Sequence, residues 1–150
     1  DLLIKAINRS WIEFCNNISL YTFQLSIKVS EDEFKDTLEL MLNDFDLVES
    51  CLEDPPFFNG QQFSLVDSSY APVFQRLDFL EQIYKRIITQ ERHPKLATWK
   101  ENLLSLKAVK HSAVEDIQSL YYKLLWTRQG YISQYLSEED YGKRPPKSTY

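Results

Sequence analysis

Between Phe63 and Leu80 the chain reads FSLVDSSYAPVFQRLDFL, and this stretch limits what the rest can become. Ser64 with Asp67 three residues on is a helix-start signal. The Ser64 hydroxyl can accept the N–H of Asp67, and the Asp67 carboxylate can reach back to the N–H of Ser64. Two donors that a helix start leaves orphaned are then satisfied reciprocally. The carboxylate also lies in the first turn, where the helix dipole favours negative charge. Behind it Val66, Tyr70, Val73, Phe74, Leu77 and Leu80 recur at spacings of three and four, with Leu65 and Ala71 widening the apolar face. A helix this apolar directly after its cap belongs at the centre of a helical domain, with the Ser64–Asp67 cap buried inside it.

The flanking sequence supplies helices to surround it. Residues near 2 to 27 read as one long helix with Ile4, Ile7, Trp11, Phe14, Cys15 and Ile18 on a stripe. Ile12, Tyr21, Phe23 and Leu25 lie off that stripe, so this helix packs on more than one neighbour and leaves a side for a second domain or subunit. Ser30 with Glu33 forms a capping box, with Val29 and Phe34 in the two staple positions. The acidic run Glu31–Glu33 complements the helix dipole. From there Phe34, Leu38, Met41, Phe45, Val48 and Leu52 make a seam antiparallel to the first helix, ended by Asp54-Pro55-Pro56. Pro72 removes one bond from the central helix and predicts a bend near Val66 to Ser69. That helix reads on to about Gln90. Pro94 suits a first helical position, and Leu96, Trp99, Leu103 and Leu106 form the next stripe. Val109 to about Leu136 then reads as helical, with Val114, Ile117, Tyr121 and Leu124 on one face and Gly130 weakening or dividing it. The domain is expected over residues 1–137, with 138–150 as a loose polar tail containing Pro145-Pro146.

Composition excludes several classes of function. Three glycines are too few for a glycine-rich phosphate loop, and a net charge of −5 argues against a nucleic-acid-binding surface. No apolar run is long enough to span a membrane, and no signal peptide is visible. Cys15 and Cys51 lie in apolar helical contexts without CxxC spacing, which reads as two buried free thiols in a reducing, cytoplasmic compartment. The chain begins at Asp1 without a Met, as expected of a fragment, a trimmed chain or a processed product.

The search for catalytic, cofactor-binding or metal-ligating residues returns none. His93 precedes a proline at a helix start, where it caps or faces solvent. His111 adjoins Ser112, but neighbouring helical residues point apart and no orienting acid is visible. No His, Cys and carboxylate cluster has ligand spacing. Asp67 is the most tempting acid, yet a carboxylate committed to backbone N–H groups is a poor proton shuttle. Two aromatic groups stand out as possible pocket walls: Trp11 and Phe14 with Ile18 on the first helix, and Trp126, Tyr131 and Tyr135 near the end.

Three segments resemble one family. FFNGQQFSLVDSSYAPVFQRL resembles the opening of the central helix in the C-terminal domain of glutathione S-transferases. Asn59-Gly60 matches the turn there, Phe63 the outer staple residue, and Ser64 and Asp67 the capping box. Ser68 departs from the apolar staple partner, so Phe63 needs another, with Tyr70 or the following helix as candidates. HPKLATWKENLLSLKAVKHS is similar to the family's Pro-x-Leu-x-x-Trp helix, and NRSWIEF to the first helix of the bacterial domains. The resemblance spans about Asn8 to Tyr135. It implies an all-α bundle of five to six helices, which in the family supplies the hydrophobic substrate wall and much of the dimer interface. Trp11, Phe14, Ile18, Trp126 and Tyr131 would serve that wall or interface. The family's thioredoxin-like domain holds glutathione and the residue that activates its thiol. This sequence carries neither βαβ alternation nor a glutathione motif, so the chain alone is expected to lack transferase activity, and glutathione is implied only for a complete family member. The implied partners are a second copy or a thioredoxin-like domain, with a hydrophobic electrophile as substrate. The alternative is a free-standing helical protein–protein interaction module without catalysis.

Overall fold

A computed structural model describes residues 2–54 and 56–144. The elements are α1 (Leu2–Leu25), α2 (Glu31–Cys51), α3 (Leu65–Ile83), α4 (Pro94–Ser105), α5 (Lys107–Lys110), α6 (Ile117–Arg128), a 3-10 helix (Tyr131–Tyr135) and α7 (Glu138–Tyr141). Five of the helices have 12 residues or more, and α5 and α7 are single turns of four. The all-α architecture expected from the periodicity is present. The short connection after α1 folds α2 back along it. Helix α3 packs against α1 and α4, and α2 also meets α4, so α3 is central as its apolar face requires.

Val66, Tyr70, Ala71, Val73, Phe74, Leu77 and Leu80 of α3 are all buried. Leu65 is not: as the first helical residue it points away from the core and is 75% exposed. The helix runs through Pro72 without a break, since a proline costs only the one bond its missing N–H would have made to the Ser68 carbonyl. It ends at Ile83 rather than near Gln90. Tyr84 leaves helical geometry with φ −111° and ψ −94°. Oε1 of Glu81 then accepts the N–H groups of Ile87 and Ile88, both at 2.9 Å, and holds the following residues in turns. The ammonium of Lys100 bonds the other oxygen of Glu81, both side chains nearly fully buried.

On α2 the seam residues Phe34, Leu38, Met41, Phe45, Val48 and Leu52 are all buried, and the Ser30–Glu33 box is formed. Val29 is exposed, so only Phe34 of the expected staple reaches the core. The α1 stripe is displaced from the predicted one. Its buried face is Cys15, Ile18, Thr22 and Leu25. Ile4 and Ile7 are exposed, because the first two turns extend past the elements packed on α1. Both cysteines are free. Cys15 is buried as expected, while Cys51, in the last turn of α2, is exposed.

The C-terminal third is not one helix. Val114 is exposed in the connection between α5 and α6, and Leu124 lies on an open side of α6. After α6, Gln129 takes the left-handed conformation with φ 52°, and Gly130 is needed for space. A Cβ there would meet the Ser26 carbonyl oxygen at 2.6 Å, just where the Tyr131 N–H donates to the Lys28 carbonyl at 2.6 Å. Gly130→Ala is expected to push the end of α6 off the α1–α2 connection and to cost about 1–3 kcal/mol. Urea unfolding checks this, and an unchanged midpoint would mean that the junction yields freely.

From Ser137 to Arg144 the chain packs back on Trp126 and Ser133. Tyr141 lies 6.0 Å from the Trp126 ring, and the Arg144 guanidinium sits over it at 4.5 Å. Arg144 also donates to the Ser133 carbonyl at 3.2 Å. Pro145-Pro146 falls outside the described residues. Among the described residues no helix is long and apolar enough to cross a membrane.

Candidate functional site

At the α3 cap four donors converge on one buried carboxylate. Asp67 has no exposed surface. Its Oδ2 accepts both the N–H and the hydroxyl of Ser64, each at 2.7 Å. Its Oδ1 accepts the Phe58 N–H at 2.8 Å and the Trp99 Nε1–H at 2.7 Å. Four donors occupy the carboxylate, so it closes a structural knot and has no oxygen free to move a proton. Sequence reasoning found Ser64 and missed Phe58 and Trp99. The signal for Trp99 was its place on the α4 stripe, which faces α3.

Around this knot the aromatics pack closely. Trp99 lies 4.9 Å from both Tyr70 and Phe74 and 5.4 Å from Phe58. Phe63 finds neither Tyr70 nor the next helix. It meets Phe57 edge-on at 5.6 Å, because the turn from Phe57 to Gly60 is closed by two backbone bonds and brings Phe57 back beside it. Gly60 has φ +84°, a conformation that favours glycine.

His93 corrects the expectation of a cap or solvent role. It is fully buried, its ring edge-on to Phe45, with Nε2 2.7 Å from Oδ1 of Asp46. Asp46 also takes the Arg92 guanidinium at 2.9 and 3.1 Å. Arg92 foremost, with His93 behind it, holds the Asp46 carboxyl below the usual carboxylate range. This cluster ties α2 to the start of α4. His111 is exposed and the Ser112 hydroxyl donates to the Val109 carbonyl, so the two form no Ser–His pair. Among the described residues no group of three or more His, Cys, Asp or Glu side chains could hold a metal ion.

The predicted wall residues separate. Trp11 and Phe14 come together edge-on at 5.4 Å, both half-buried, with Trp11 5.6 Å from Phe58. Ile18, on the same helix, is fully buried and belongs to the core, because it sits where α1 crosses α3. Trp126 is buried beneath Tyr141 and Arg144. Tyr131 packs 5.1 Å from Phe34, and its hydroxyl is 3.1 Å from that of Tyr135. Sequence reasoning missed a cavity of about 550 Å³ between α1, α3 and α6. Phe23, Val73, Phe79, Leu120 and Leu124 form its apolar wall. The available signal was Leu120 and Leu124, four apart on α6 beside Tyr121, with Phe23 off the main stripe of α1.

Residues 31–101 match the family model described as the C-terminal domain of glutathione S-transferase. That segment is similar to the C-terminal domain of glutathione S-transferases. It contains α2, α3, the Asp67 knot and the part of α4 that carries Trp99. The chain is also similar to a probable glutathione S-transferase from Glycine max, 27% identical over 112 residues, covering 67% of this chain and 46% of the relative. The chain thus matches somewhat under half the length of that glutathione S-transferase.

Proposed function

We propose that this domain is the helical half of a glutathione S-transferase-like protein, working beside a thioredoxin-like domain that holds glutathione and facing a second copy of itself. In this reading the α1 face, with Trp11 and Phe14 at its edge, supplies apolar surface to the neighbouring domain, to the second copy and to a hydrophobic electrophile. The observation that carries it is the apolar start of α1. Leu2, Leu3, Ile4 and Ile7 are exposed by 85, 65, 53 and 45%, and clustered apolar surface of this kind marks an interaction site. The similarity to a relative named as a probable glutathione S-transferase supports the same reading. The exposed α1 face also fits a helical interaction module without chemistry. Finding a βαβ-patterned segment in the reading frame upstream of Asp1 would favour the transferase.

Self-association through α1 is the measurable consequence. Sedimentation equilibrium across a hundredfold concentration range is expected to show a monomer–dimer equilibrium. The double substitution Ile4→Glu and Ile7→Glu should raise the dissociation constant by at least about tenfold, since it places charge in a buried apolar contact. A monomer at every concentration would reject the face as a contact between copies.

A further inference from the structure

We draw no further inference here: the strongest candidate, the outward side of α2 on which Leu40 and Leu47 are both more than half exposed, is an unpartnered apolar helix face, and nothing in the structure shows what covers it.

Discussion

Asp67→Ala is expected to destabilise the domain by about 4 kcal/mol, a large part of the 5–15 kcal/mol that holds a typical domain together. The carboxylate is fully buried and receives four donors. Truncation strands the N–H groups of Phe58 and Ser64 and the indole N–H of Trp99, and it leaves a void where close packing was. Removing the buried charge returns part of this cost. Asp67→Asn keeps the volume and one carbonyl acceptor, and should cost about half as much. Trp99→Phe removes a single bond and should cost about 1–2 kcal/mol. Combined with Asp67→Ala it should add less than its separate value, since the two share a contact. Urea unfolding gives each number. A loss below about 1 kcal/mol for Asp67→Ala would mean that water enters and replaces the missing acceptor.

Glu81→Ala is expected to cost about 3–5 kcal/mol, as breaking one partner out of a buried ion pair usually does. The Lys100 and Glu81 side chains are 5% and 6% exposed, and Glu81 also holds the N–H groups of Ile87 and Ile88. After truncation the Lys100 ammonium retains only the more exposed Asp78 carboxylate, at 3.4 Å. Two effects then separate. The charge penalty should be relieved in the double variant Glu81→Ala, Lys100→Met, which should recover about half of the loss. The loosened backbone should remain, seen as faster hydrogen exchange at Ile87 and Ile88 in both variants. If Lys100→Met alone costs as much as Glu81→Ala and the two add, the pair is not coupled and the loop bonds account for the effect.

Some features of short spacing were legible in the sequence, although the α1 stripe and the Val29 staple were not. The Ser30–Glu33 box, the bond from the Ser64 N–H to the Asp67 carboxylate, and the α2 and α3 stripes each involve residues three or four apart, and each forms in the structure. The Ser64 hydroxyl donates to Asp67 rather than accepting its N–H. Long-range contacts were not legible in that way. Trp99 reaches Asp67 across 32 positions, and Asp46 reaches His93 across 47. Nothing local marked His93 as buried, because a histidine before a proline has the same neighbours at a surface as in a core. The end of α3 was misread because Glu81, an ordinary helical residue by propensity, turns its carboxylate onto the backbone of the next segment. The division near Gly130 was visible as a weak helical position, but its cause, the approach of the Ser26 carbonyl, comes from the other end of the chain. The cavity was hidden for a related reason. It is bounded by three helices, and Leu120 and Leu124 look like core residues until α6 is seen to leave them uncovered.

The two cysteines carry a consequence for observing the molecule at work. Cys51 is open to solvent, while the Cys15 thiol donates to the Ser69 carbonyl at 3.3 Å and is pushed up to about 11 by its burial. A thiol reagent therefore meets one group that answers at once and one that must wait until α1 lifts from α3. The first reaction counts molecules and the second times an internal opening. The unaltered chain thus carries both a reference and a clock for the movement of its own central helix pair.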